Sequence, residues 1–210
     1  GEPVFMPEVM NIAKKNNLKV IEDCSQAHGA VINNKKVGNF GDISAFSMMS
    51  RKTISVNGTA GMVFTKNHDL YKNSLALSDR GKPIWEENYI PNDPSNNLFP
   101  SLNFNLDEFS SALGIISMKK IQKVIKSRRE SAEYLKAKLN QNSDFFSIRY
   151  DVENSSPFVI PVFLNVGKQL PISVYDFAKK LNQRGIPLNP RYKFLVNEWN
   201  YVKEYLFDDY

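Results

Sequence analysis

The stretch Ile43-Ser44-Ala45-Phe46-Ser47-Met48-Met49-Ser50-Arg51-Lys52-Thr53-Ile54-Ser55-Val56-Asn57-Gly58-Thr59-Ala60-Gly61 decides the reading of this chain. Ile43 to Met48 is short and apolar and predicts a buried strand. Ser50 to Asn57 is small and polar around one lysine, Lys52. Gly58 to Gly61 predicts a turn, after which Met62-Val63-Phe64-Thr65 predicts a second buried strand. A lysine on a loop between two such strands is either a surface loop residue or an amine held at the edge of an α/β sheet. In the second case its neutral form can attack a carbonyl.

Upstream, Met6 to Asn17 carries Val9, Met10, Ile12 and Ala13 at helical spacing, and Asn16-Asn17 ends the helix. Leu18 to Asp23 then reads as a strand. A helix feeding directly into a strand predicts half of a βαβ unit whose first strand lies outside the sequence. Asp23 closes the strand, and in open α/β sheets functional groups gather beyond the carboxyl ends of strands. Cys24 to Ala30 is a small-residue loop bearing Gln26 and His28. Taken alone, Asp23 reads as a turn or capping aspartate and His28 as a hydrogen-bonded structural histidine. Val37 to Asp42 is a glycine-punctuated turn into the Ile43 strand.

Downstream, Asn67 caps a helix to Ser78. Ile84 to Pro100 is the longest irregular stretch, a length often tied to function. Asp107 stands at the start of a helix whose Phe109–Ile116 segment is rich in small residues, and a long helix runs from Ile121 to Leu139. Phe145 to Tyr150 and Phe158 to Leu164 predict strands, Ser173 to Gln183 a helix closed by Gly185, and Ile186 to Leu188 a further strand. The expected division is 1–125, the C-terminal half of a large α/β domain, and 126–210, a linking helix with a small α+β domain.

The bulk numbers narrow the function. The chain has 210 residues, 42% of them hydrophobic and 23% charged, with a net charge of +5. Its basic residues are dispersed, so no nucleic-acid partner is expected. One cysteine, Cys24, makes no internal disulfide and favours a reducing compartment. With no signal-like or spanning apolar segment, the expectation is a soluble cytoplasmic protein with no membrane partner.

Asp23 and Gln26 follow one strand, and Ser47 and Lys52 end another. A pyridoxal phosphate site needs such a set: an amine for the cofactor aldehyde, a carboxylate for the pyridine nitrogen, and hydroxyls or amides for the phosphate. Val20 to Ala30, then Val37 to Asp42, then Phe46-Ser47 with Lys52 five positions on, resembles the DegT/StrS family of sugar aminotransferases. Leu102 to Glu108 with Ala112-Leu113-Gly114 resembles the family's next landmark. The resemblance implies a fold-type-I pyridoxal-phosphate-dependent architecture of the aspartate-aminotransferase kind, with part of the large mixed-sheet domain followed by a small α+β domain. It implies that Lys52 is the Schiff-base lysine and proton shuttle, and that Asp23 pairs with the pyridinium. It further implies that Gln26 bonds the ring hydroxyl, Ser47 the phosphate, and Asn103 the cofactor phosphate of a neighbouring subunit in a homodimer. Glutamate or glutamine would donate the amine, and a nucleotide-linked keto-sugar or a keto-cyclitol would accept it. Two other readings are a sugar dehydratase, in which such relatives carry histidine in place of Lys52, and a truncated, non-catalytic subunit.

The sequence also departs from the family pattern. Asn57-Gly58-Thr59-Ala60-Gly61 is one residue longer than the usual turn and lacks its acid. Asn105 stands where an arginine is common. About half of a family chain has no counterpart here, including a phosphate-gripping helix start. The expectation is therefore an open sheet edge and weak or no activity for these residues alone.

Overall fold

A computed structural model of the chain describes residues 1–191 and 195–206, the last two by backbone only. It forms two compact units, Gly1–Phe163 and Leu164–Tyr210.

In the first unit, helix α1 (Met6–Lys15) begins with Pro7 in its first turn and ends where Asn17 adopts a left-handed φ of 52°. Strand β1 (Ile21–Asp23) pairs in parallel with β4 (Ile43–Ser47), with Asp23 opposite Ala45. Strand β5 (Gly61–Phe64) returns antiparallel along β4, with Gly61 opposite Ser47. Between β1 and β4 a short hairpin intervenes, β2 (Val31–Ile32) and β3 (Lys35–Lys36). Asn33 and Asn34 both have positive φ, the signature of the tight turn that matches strand twist. α1 packs on this region through Met6, Val9 and Met10, which meet Cys24, Ala30, Ile32, Val37 and Phe46. Each such buried side chain contributes roughly 1.5–3 kcal/mol.

The expectation of two buried strands is half met. β4 is partly covered, but Met62, Val63 and Phe64 on β5 are 38%, 54% and 39% exposed, since no described element packs over them. Helix α2 (His68–Ser78) is capped as expected, the Asn67 side chain accepting from the Leu70 N–H. The two helices expected after Asn105 are one, α3 (Glu108–Asn142), capped by Asp107 and about 52 Å long at 1.5 Å per residue. Gly114 allows the Lys52 loop to lie on it: a Cβ there would meet Met48 at 2.9 Å and Val56 at 3.4 Å.

The strands expected at 145–150 and 158–164 shrink to β6 (Phe146–Ser147) and β7 (Phe163–Leu164). Side chains of α3 take carbonyls of the first expected strand and of the segment between the two. Asn140 donates to Ile148, Lys136 to Tyr150, Arg129 to Ser155 and Arg128 to Pro157. Ile148, Tyr150 and Val152 are buried against Ala132.

In the second unit, helix α4 (Val174–Gln183) is capped by Ser173 and followed by Gly185 at φ 81°. No strand forms at 186–188. A last helix, α5, spans Asn200–Leu206.

Candidate functional site

The parallel pairing of β1 with β4 sets Asp23 and Ser47 at the carboxyl ends of neighbouring strands, the edge where α/β folds place chemistry. Asp23 is exposed. Its carboxylate accepts from the Ser25 N–H at 3.0 Å. Hydrogen bonds from the Ser25 hydroxyl and backbone hold its pKa below the ordinary aspartate value, and the Lys52 charge adds to this. The group is therefore a carboxylate at neutral pH. Gln26 follows in the next turn, half-buried. The Ser47 hydroxyl accepts from the Met49 N–H at 3.5 Å.

Lys52 rides on a loop that is pinned from both sides. The Met48 N–H bonds the Ala60 carbonyl at 2.8 Å, and the Val56 N–H bonds the Met48 carbonyl at 3.0 Å. Met48, Ile54 and Val56 form a buried cluster with Ile121 of α3. Ser117 of the same helix accepts from the Ser55 N–H at 2.9 Å. Just before the lysine, Arg51 sits at φ 76°, a conformation that costs a non-glycine residue on the order of 1 kcal/mol and persists only where the surroundings impose it. Lys52 itself is half-buried, with its Nζ 5.0 Å from the centroid of the Phe158 ring. Among the described residues no carboxylate forms an ion pair with it.

His28 lies in the same neighbourhood. It is 1% exposed, and its ring is 5.6 Å from that of Phe46. Burial pushes its pKa below 6.5, with the charges of Lys52 and Arg128 acting in the same direction, so it is neutral. A backbone hydrogen bond with Ser47 opposes the shift, in keeping with the expected hydrogen-bonded histidine. Burial also pushes the neighbouring Cys24 thiol up to about 12.

Glu22 was not singled out from sequence, yet it organises the approach to the site. It is 6% exposed and accepts from the N–H groups of Gly38, Phe40 and Gly41 at 2.8, 2.6 and 2.7 Å. Gly38 has φ 86°, and a Cβ there would come within 2.5 Å of the Phe46 ring. The glycine-rich turn expected at Val37–Asp42 is thus closed on a buried carboxylate. The signal was present in the alternation of the strand: Asp23 faces out, so Glu22 faces in.

Asn103 lies on another segment. It is exposed, bridged to Asp79, and its side chain accepts from the Asn105 N–H at 3.1 Å. Asp79 is gripped by Arg80 and Lys82 at 2.8 and 3.2 Å. Phe158, whose ring faces Lys52, and Arg128, which bonds the adjoining Thr53, escape a reading by local motif because they come from distant parts of the chain. Among the described residues no acidic, histidine or cysteine group forms a metal-binding cluster, and no helix is long and apolar enough to cross a membrane.

The DegT/DnrJ/EryC1/StrS aminotransferase family matches residues 1–208. A GDP-perosamine synthase of Escherichia coli O157:H7 is 32% identical over 140 residues, 67% of this chain and 36% of that protein. A dTDP-3-amino-3,6-dideoxy-alpha-D-galactopyranose transaminase of Aneurinibacillus thermoaerophilus is 37% identical over 134 residues, 64% of this chain and 34% of that one. The solved aminotransferase of Psychrobacter cryohalolentis superposes with a TM-score of 0.78 at 26% identity, covering 88% of this chain and 50% of that one. The chain spans half or less of the length of these three proteins. The shared architecture is the mixed α/β one expected from the sequence.

Proposed function

The chain belongs to the DegT/DnrJ/EryC1/StrS aminotransferase family, and from that premise we propose that it serves amino transfer to a nucleotide-linked keto-sugar, with pyridoxal phosphate as cofactor. The observation that supports this reading is the convergence of the Lys52 amine and an ionised carboxylate, Asp23, on one sheet edge. The donor set suits the cofactor: a primary amine for an aldehyde, an anion for a protonated ring nitrogen, and a hydroxyl at Ser47 and an amide at Gln26 for its oxygens. When bound, the cofactor supplies an aldehyde and a ring that accepts carbanion charge.

The chain's own residues then have distinct tasks. The Asp23 carboxylate would keep the ring nitrogen protonated. The Lys52 Nζ would hold the cofactor by its aldehyde, and the same nitrogen would accept and return the proton that amino transfer moves. Phe158 and the pinned loop keep that amine within reach of one face. Glutamate or glutamine is the proposed donor, and a keto-cyclitol the alternative acceptor. We further place the catalytic unit in a cytoplasmic homodimer, with Asn103 reaching a neighbouring subunit's cofactor phosphate. Residues 1–125 correspond to the C-terminal half of the cofactor-binding domain and residues 126–210 to the linking helix and small domain.

The test is direct. The protein is mixed with pyridoxal phosphate, reduced with borohydride and digested, and the modified peptide is identified by mass spectrometry. The expected adduct is on Lys52 and is lost in Lys52→Ala. An adduct confined to other lysines, or amino transfer to a keto-sugar retained by Lys52→Ala, overturns the reading.

A further inference from the structure

Arg128 stands in α3, half-buried, and forms no ion pair among the described residues. It donates instead to two neutral acceptors. Its Nη1 reaches the Thr53 hydroxyl at 3.0 Å and the Pro157 carbonyl at 3.2 Å. Thr53 directly follows Lys52, and Pro157 directly precedes Phe158, the residue whose ring lies 5.0 Å from the Lys52 amine. One guanidinium nitrogen therefore ties the Thr53 side chain to the Pro157 backbone, and with them the two segments that bring amine and ring into contact. Both attachment points are shielded: Thr53 is 5% exposed, and Pro157 is buried.

The segment that presents Phe158 is fixed from other sides as well. Arg129 donates to the Ser155 carbonyl at 2.8 Å, the Ser156 N–H bonds Gly1, and the Val31 N–H bonds Asn154. These bonds hold the segment to the body of the unit. The bonds from Arg128 join it to the lysine loop as well.

We propose that Arg128 is a positioning residue for Lys52, holding the lysine loop and the Phe158 segment in register so that the aromatic ring covers and orients the amine. The proposal rests on the reading of Lys52 as the reacting amine. Phe158 attracts the ammonium over its face, and the fork of Arg128 sets where that face lies. A guanidinium suits the task because its donors are fixed in one plane, whereas a lysine offers a compact charge on a mobile stem.

The experiment needs no cofactor, so its outcome is separate from that of the reduction experiment above. The folded 210-residue protein is pulsed with a trace of an amine-acylating ester. Acylation of Lys52 is then measured by peptide mass spectrometry relative to Lys119 and Lys120, both exposed on α3. Phe158→Ala and Arg128→Met are each expected to raise the Lys52 ratio several-fold at unchanged labelling of Lys119 and Lys120. The double variant is expected to rise no further than either single one, and Arg128→Lys to fall between wild type and Arg128→Met. Thr53→Val removes only the hydroxyl on the loop side and is expected to raise the ratio in the same direction. A rise in Phe158→Ala with none in Arg128→Met or Thr53→Val overturns the proposal, leaving Phe158 as a cover that Arg128 does not set. If Arg128→Met labels every lysine alike through loss of the fold, Thr53→Val decides by itself: no selective rise at Lys52 overturns the proposal.

Discussion

The region around Glu22 and the region around Asp23 lie on opposite sides of one three-residue strand. On the inner side, Glu22 is buried and spends its carboxylate on three backbone N–H groups of the 38–41 turn. On the outer side, Asp23 is exposed, bonded within its own turn, and open towards Lys52. Side chains alternate along a strand, so two adjacent acids fall into two different environments with no further instruction. The inner acid builds the scaffold, and the outer one is left free for chemistry. The difference teaches that charge type alone does not mark a site, because burial and the identity of the donors decide which acid is structural.

The comparison breaks first if Glu22 proves dispensable. Glu22→Ala leaves three donors without an acceptor in a buried turn, each a desolvated polar group worth on the order of 1 kcal/mol or more. A loss of about 3 kcal/mol is expected in a denaturant titration, a large part of a typical domain's stability. A loss below about 1 kcal/mol would mean that water reaches the turn and that Glu22 is not its anchor.

His28 sharpens the same contrast, since it lies near the site yet behaves as a core group. Burial holds its pKa below 6.5. For a base whose folded value is depressed, the folded state favours the neutral form. Stability is therefore fully present above pH 6.5 and is lost as the pH falls from there through the lowered folded value. Wild-type protein is expected to lose stability on that limb in thermal scans from neutral to mildly acidic buffer, while His28→Leu flattens it. The effect is smaller than that of Glu22→Ala. An identical acid limb in the variant would assign it to other groups.

How much of this was legible beforehand follows from range. The Asn67 and Asp107 caps and the end of α1 at Asn16-Asn17 are local signals that the sequence carries on its face. So is the loop bearing Lys52 between two strands. The Asn33-Asn34 turn was also local, but its strands are two residues each, too short for a periodic signal. The stretches 145–150 and 158–164 read as strands by composition, yet the Ile148 and Tyr150 carbonyls of the first are claimed by side chains of α3 that only the fold brings near. Arg128 meets Thr53 and Pro157 across separations of 75 and 29 residues, which no spacing rule connects. The apolar β5 reads as buried and is exposed, because its sequence states a preference for cover that no described element supplies.

The smallest expected effect on folding is the most telling for the site. Asp23→Asn keeps a carbonyl oxygen in place to accept from the Ser25 N–H, so the turn after β1 retains its bond. The side chain is exposed, so the lost charge leaves no buried group without a partner. Stability is expected to change by less than about 0.5 kcal/mol, as for surface substitutions away from special features. The variant has nevertheless lost the anion that would hold a ring nitrogen protonated. Amino transfer is expected to fall on the order of 100-fold, the scale at which removal of one preorganised electrostatic partner registers. Measured together, the two numbers separate scaffold from chemistry on a single strand. If Asp23→Asn unfolds the protein as readily as Glu22→Ala, both acids are structural and the distinction between the faces fails. If it folds and transfers amino groups at the wild-type rate, Asp23 is a turn residue and the ring nitrogen must find its anion elsewhere.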